Sequence, residues 1–258
     1  MRKRPITAKI ADFLWKLTHD CLKCGKYFSR WNAEQQWCKC APNIIENPEH
    51  ILTECPLGNQ ADLWLTAGQI WTKEIENIPE ADAWQKPDIH EIRAIGCWTN
   101  TKDIPRKKGD KQKHLTASLS NLRKILVSET AWNIWKLRCE RVINEKDRPR
   151  HQYTETLKEA FRRRIIIEWG ATRWISQRKR HQAIVTFKET WCIQGTIATL
   201  TDNKLQINKT LGKTDPEKNQ IEESDPESEK ESNVGSVDVG SDSVGSDNVG
   251  SENEHGEF

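Results

Sequence analysis

The sequence predicts an all-α protein: a small zinc-knuckle subdomain, then long basic amphipathic helices, then a disordered acidic C-terminal tail. Three observations carry that expectation. Apolar residues recur at spacings of three and four over several stretches, as on one face of a helix. A Cys/His group with metal-ligand spacing lies near the amino terminus. The charges, finally, separate into two blocks of opposite sign.

That separation divides the 258 residues, because a net charge of +2 conceals it. All twelve Trp precede residue 213. From Thr214 to Phe258 there are 14 Asp/Glu against Lys218 and Lys230, a net charge of −12, with no aromatic but Phe258 itself. Such a segment cannot offset its ordering entropy by burial, so disorder is expected. Its four five-residue units, VGSVD, VGSDS, VGSDN and VGSEN, are too short and too polar to stack as a solenoid and read as low-complexity sequence. The remainder holds 38 Lys/Arg and 24 Asp/Glu, a net +14, which makes nucleic acid or another polyanion a physically reasonable partner.

Within that remainder, Ile6 to Leu22 places Ile10, Phe13, Leu14, Leu17 and Cys21 on one helical face, with Gly25 as the stop. Residues 30–42 are rich in Trp and Cys with little periodicity, and the segment between Pro48 and Pro56 has short-helix character. A second helix is expected from Asn59 to Glu76 through Leu63, Ile70, Trp71 and Ile75. Pro79, Pro87 and Gly96 then break the chain into short pieces. The organisation expected is a knuckle-like helical module at 6–57, a Trp-rich helical region at 58–100, a basic linker at 101–113, a basic helical region at 114–213 and the tail at 214–258.

The longest helix is expected from His114 to Glu145. Leu122, Ile125, Trp132, Trp135, Cys139, Val142 and Ile143 share one arc, with Arg123, Lys124, Arg138 and Arg141 on its flanks and back. Another helix begins near Thr154, with Leu157, Phe161, Ile165, Trp169 and Trp174 as its apolar residues and Arg162, Arg163 and Arg164 exposed; it extends toward or past Arg180. For 185–211, a helix to about Trp191 and a small hairpin both remain open.

No run approaches the roughly 20 apolar residues that span a bilayer, and Met1 to Pro5 is followed by an amphipathic stretch rather than a signal-peptide core. The expectation is an intracellular protein of nucleus or cytoplasm, not a secreted one. There the eight cysteines read as free thiols or metal ligands rather than disulfides.

Cys38, Cys40, His50 and Cys55 form a C-x-C-x9-H-x4-C set. Three thiolates and an imidazole are the ligand types of a closed tetrahedral structural zinc site, although Cys-x-Cys is tighter than the usual two-residue spacer. Cys21 and Cys24, in standard C-x2-C spacing, are alternates for one or both of the first two ligands. Without metal, Cys21 would belong to the first helix's apolar face and Cys24 to a capping turn.

The basic charge concentrates in residues 101–190, with 23 Lys/Arg and 10 Asp/Glu. Clusters at Arg106, Lys107 and Lys108, at Arg162, Arg163 and Arg164, and at Arg178, Lys179 and Arg180 are candidate nucleic-acid contacts. Trp132, Trp169 and Trp174 would stack on unpaired bases where exposed. The alternative is a solvated basic face without a partner. The run from Pro105 to Lys113 also has the composition of a nuclear import signal.

The stretch from Ala11 to Pro56 resembles the zinc-binding region found downstream of reverse transcriptase domains in retrotransposons lacking long terminal repeats. Phe13, Trp15 and His19 match its first helix, Cys38 and Cys40 its Cys pair, and Glu46, His50, Cys55 and Pro56 its Glu-x3-His-x4-Cys-Pro close. The later run LVSETAWNIWKLRCERVINEK is similar to the helical segment that follows this module in retrotransposon-derived reading frames of basidiomycete fungi. This resemblance implies a nucleic-acid-binding accessory to those enzymes, here as a stand-alone remnant. It departs in the shortened Cys pair and in the acidic repeats.

Catalysis is not expected. No Asp-Asp pair occurs for a reverse transcriptase metal-binding turn, and no carboxylate quartet on a mixed sheet presents itself for ribonuclease H chemistry. There is no Gly-x-Ser-x-Gly turn and no Gly-rich phosphate loop. No small-molecule substrate is implied.

Overall fold

The computed structural model describes residues 5–79, 81–100 and 110–211, with the backbone alone for 110–114. The expected acidic tail and most of the expected basic linker, with Arg106, Lys107 and Lys108, lie outside the described residues.

Helix α1 spans Ala8–Thr18 and buries Ile10, Phe13, Leu14 and Leu17, the face expected from their spacing. It ends four residues sooner than the pattern predicts. Asp20 adopts φ +50°, and the Cys21 amide donates to the Lys16 carbonyl at 2.8 Å, the six-to-one bond of a Schellman close. Cys21 therefore leaves the apolar face and is exposed, while Leu22 and Cys24 fold back into the core. Gly25 does not stop a helix. It opens the short α2, Gly25–Phe28, where a β-carbon would meet the carbonyl oxygens of Gln35 and Gln36 at 2.8 Å each.

Helix α3, Gln60–Ile75, buries Leu63, Trp64, Ile70 and Trp71. The proline-broken stretch after it yields α4, Ile89–Ala94, capped by the Asp88 carboxylate accepting from the Glu91 amide at 2.7 Å. Helix α5 then runs Asp110–Ile143, so the last part of the expected linker is helical. It packs against α1, α3 and α4 and against the two helices that follow.

This central position overturns the reading of α5 as a helix with one buried face and a basic back. Leu126, Val127, Ala131, Ile134 and Leu137 are buried alongside Leu122 and Ile125, whereas Ile143 is exposed. Among its buried polar residues, Thr130 Oγ1 donates to the Leu126 carbonyl and Asn133 Nδ2 to that of Glu129. Arg123 and Arg138, expected on its flanks, are buried and paired with Glu91 and Glu46.

Helix α6, Arg150–Arg173, buries Tyr153, Leu157, Phe161, Ile165 and Trp169. The chain breaks at Trp174 to Ser176 before α7, Gln177–Trp191, so the expected continuous helix is two. Trp174 is accordingly not a core residue. Beyond α7, both openings left for 185–211 are used, in series. Strands β1, Ala198–Thr201, and β2, Lys204–Ile207, pair antiparallel with Thr201 opposite Lys204. Asp202 and Asn203 both take positive φ, the requirement of the tight type I′ turn.

The hairpin is fastened to α3. Glu74, fully buried, accepts from the Gln194 amide at 2.8 Å and the Thr196 amide at 3.1 Å. Ile197, Ala198, Ile207 and Leu211 join the same apolar cluster as Ile10 and Leu63. The fold is thus helical around α5, with one two-stranded exception, and the described residues belong to one compact unit, Met1–Asp215. No helix among the described residues is long and apolar enough to cross a membrane.

Candidate metal centre and nucleic-acid interface

Two short backbone segments bring the candidate ligands together. The Cys38 amide donates to the Ile44 carbonyl and the Glu46 amide to that of Gln36, both at 2.7 Å, with Trp37 bridged to Ile45. This minimal antiparallel ladder is turned by Asn43 at φ +65°, and it sets Cys38 and Cys40 at its tip.

The second segment is a π-helical turn, His50–Glu54, closed by the Cys55 amide on the His50 carbonyl at 2.7 Å. Positions five apart in an α-helix stand about 140° apart around its axis. The wider i to i+5 turn brings them back to one side, so here His-x4-Cys presents both ligands together. The Asn47 side chain accepts from the His50 amide at 2.8 Å and helps to start the turn.

Cys38, Cys40, His50 and Cys55 offer ligand atoms that all lie within 4.8 Å of one another. The Cys38 and Cys55 sulfurs are 3.7 Å apart, and Cys40 Sγ lies 3.3 Å from His50 Nε2. Zinc bonds of about 2.3 Å to sulfur and about 2.0–2.1 Å to nitrogen in a tetrahedron put two sulfurs about 3.8 Å apart and a sulfur and nitrogen about 3.5 Å apart. The residues therefore fit a tetrahedral cation of that size. The other imidazole nitrogen, Nδ1, lies 3.2 Å from Glu54 Oε2, the carboxylate contact that orients a metal-bound histidine.

Burial pushes the Cys38 thiol up to about 12, with the neighbouring Cys40 and Cys55 thiols adding to the effect. Cys55 is raised for the same reason. The Cys38 and Cys55 thiols hold their protons in this setting unless a cation is present to favour the thiolates. Cys21 and Cys24, the alternates, are not gathered in. The Cys21 thiol donates to the His19 carbonyl at 3.2 Å, and Cys24 is buried in the apolar core with its thiol raised by burial.

Of the other matched positions, Phe13 is core, while Trp15 and His19 stack on each other at 4.4 Å on the outside of α1. Glu46 is buried and paired to Arg138, and accepts from the Gly25 amide at 2.9 Å. Sequence reasoning assigned Glu46 no structural task, since its partner lies 92 residues away.

The basic clusters part company. Arg164, expected to be exposed, is buried, with Nη1 2.6 Å from Glu129 and Nε 2.9 Å from Glu168. Arg162 pairs with Glu159 and donates to the Leu211 carbonyl. Arg163 stays exposed and pairs with Glu159 at 3.0 Å.

The α6–α7 corner differs. Arg173, Trp174, Arg178, Lys179, Arg180 and His181 are all exposed, Trp174 at 91%. Those cations form no ion pair among the described residues. Arg178, Lys179 and Arg180 occupy the first turn of α7, where the helix dipole is itself positive. Trp169 is buried and Trp132 half-buried, so of the three Trp considered for stacking only Trp174 presents an open face. Comparison with known protein families, with curated proteins and with solved structures finds no match for this chain.

Proposed function

We propose that the chain is a non-catalytic, retrotransposon-derived module that holds a structural zinc ion on Cys38, Cys40, His50 and Cys55 and binds RNA or DNA through the basic α6–α7 corner. The observation that carries this reading is the quartet's geometry, three sulfurs and an imidazole nitrogen gathered within 4.8 Å of one another, close enough to be the corners of a tetrahedron around one cation. A cation there would tie the 36–46 ladder to the π-helical turn, a region with few buried apolar residues of its own. The family resemblance of Glu46, His50, Cys55 and Pro56 supports the same assignment.

The nucleic-acid half rests on Trp174 among unpaired cations, since phosphates would neutralise Arg173, Arg178, Lys179 and Arg180 while the indole stacks on a base. A second reading, a helical protein-interaction module without nucleic acid, is favoured by the internal use of Arg162 and Arg164.

Elemental analysis of the full chain, purified without added metal, tests the first half. About one zinc per chain is expected, lost in His50→Ala. Fluorescence anisotropy with labelled oligonucleotides tests the second: the triple variant Arg178→Ala, Lys179→Ala, Arg180→Ala is expected to bind more weakly with a shallower salt dependence. A folded, zinc-free wild type sinks the metal assignment, and wild type that retains no oligonucleotide at low salt sinks the nucleic-acid one.

A further inference from the structure

Among the described residues four Trp are exposed, Trp15, Trp31, Trp37 and Trp174, and two of them lie close together in sequence on the knuckle. Trp64, Trp71 and Trp191 are fully buried, yet Trp31 is 70% exposed and Trp37 43%, with Ile44 and Ile45 open beside them on the metal-bearing module. Trp31 stands against Tyr27 at 5.3 Å between ring centres, and Tyr27 is backed edge-on by Phe28 at 5.5 Å. Arg30 lies over the Tyr27 ring at 5.6 Å. Trp37 is held by its bridge to Ile45 on the ladder that carries Cys38.

We propose that the aromatics of the knuckle, Tyr27 and Trp31 with Arg30 and, on the ladder, Trp37, stack the unpaired bases of a single-stranded nucleic acid. The inference rests on the nucleic-acid reading above and adds a second, separate surface with a strand preference. Charge selects the occupant. Between Cys21 and Ile45 the chain carries Lys23, Lys26, Arg30 and Lys39 against Glu34 alone, and all four cations are exposed.

The centre of a protein–protein interface is depleted of charge, whereas here Arg30 lies over the Tyr27 ring and three exposed lysines share the segment. Aromatic faces supply a platform that any base accepts, and the cations supply the phosphate contacts, the combination found in proteins that bind single strands without reading sequence. Duplex bases are already stacked on each other and offer this face nothing beyond phosphate. The knuckle would therefore discriminate by strandedness, while the cations of the α6–α7 corner attract both forms through phosphate.

Anisotropy titrations of the full chain with labelled oligo-uridine, oligo-deoxythymidine and a mixed-sequence duplex of equal length test this. Wild type is expected to prefer either single strand over the duplex. Trp31→Ala is expected to bind single strands about tenfold more weakly with duplex affinity unchanged, Trp37→Ala to act in the same direction, and Trp31→Phe to restore most of the loss. Zinc content and circular dichroism of the variants establish that the module is still folded.

If both alanine variants, folded, keep wild-type affinity for single strands while the corner variant weakens every nucleic acid, the knuckle proposal is overturned and the nucleic-acid reading stands. If wild type binds no strand of either kind, both fail together. Self-association of the wild type that Trp31→Ala abolishes, with single-strand affinity unchanged, overturns the proposal in favour of a second copy of the chain as the occupant.

Discussion

Arg138, near the end of α5, and Glu46, just ahead of the π-helical turn, form a buried two-point ion pair, with Arg138 Nε 2.9 Å from Glu46 Oε1 and Nη2 on Oε2. Arg138 Nη1 donates besides to the Lys23 carbonyl at 3.0 Å, and the Glu46 carboxylate accepts from the Gly25 amide. One guanidinium thus joins the central helix to the 36–46 ladder and to the stretch that leads into α2.

Removing one partner of that pair strands a buried charge. Arg138→Ala is expected to lower unfolding free energy by about 3–5 kcal/mol. Arg138→Lys should recover little, because a point charge cannot satisfy two carboxylate oxygens and the Lys23 carbonyl together. Urea unfolding followed by circular dichroism checks both, and a Lys variant as stable as wild type would show that the fork geometry is dispensable.

Gly25→Ala tests the close approach of α2 to the ladder. The added methyl would sit 2.8 Å from two backbone oxygens and 2.9 Å from Glu46 Cβ, none of which is the far end of a flexible side chain. A loss of about 1–3 kcal/mol is expected, accompanied by weaker metal retention during dialysis against a mild chelator. Unchanged retention and stability would mean that the α2 segment shifts freely.

Arg123 is enclosed on its π side by Trp84 at 4.5 Å, Trp98 at 5.2 Å and Trp71 at 5.9 Å, while Nη2 meets Glu91 at 2.6 Å. Desolvated contacts of this kind are worth about 2 kcal/mol or more. Arg123→Lys should therefore lower the melting temperature and change the intrinsic tryptophan emission, although charge is conserved. A thermal scan matching wild type would deny the cage any energetic role.

Cys192 provides a chemical check. Burial, with Glu74 adding to it, raises its thiol to about 11. The protonated form is the one the folded state favours, so thiolate is scarce at neutral pH and increases only as the pH climbs toward that value. Timed alkylation at neutral pH with mass mapping should label the exposed Cys21 and Cys97 first and Cys192 late, with Cys192 catching up at alkaline pH. Early labelling of Cys192 at neutral pH would contradict its half-buried setting beside Glu74.

The elements most legible in the sequence are those whose signal is local. The faces of α1 and α3 follow from spacing alone, because Phe13, Leu17, Leu63 and Ile70 meet the core through their own helix's periodicity. The spacing of the four candidate ligands was readable for the same reason, since each pair sits within a few residues. The π-helical turn that turns His50 and Cys55 to one side was not, as no short-range pattern distinguishes it from an α-helical turn.

Arginines were misread wherever their partner is distant. Arg123, Arg138 and Arg164 look like solvated helix decoration until Glu91, Glu46 and Glu129 are brought to them from 32, 92 and 35 residues away. The break at Trp174 escaped notice because no Gly or Pro marks it. The Asp202–Asn203 turn lacks the glycine that usually announces a two-residue hairpin.

The anchoring of the hairpin to α3 bears on how the chain acquires its structure. Glu74 is sealed from water early in the sequence, yet the amides that satisfy it belong to Gln194 and Thr196. During synthesis α3 must wait, its carboxylate uncompensated, until nearly all of the helical body has been made. Folding of this unit is therefore expected to complete on release of its last segment rather than progressively from the amino terminus, and a chain ending before Gln194 would lack the backbone donors that satisfy Glu74.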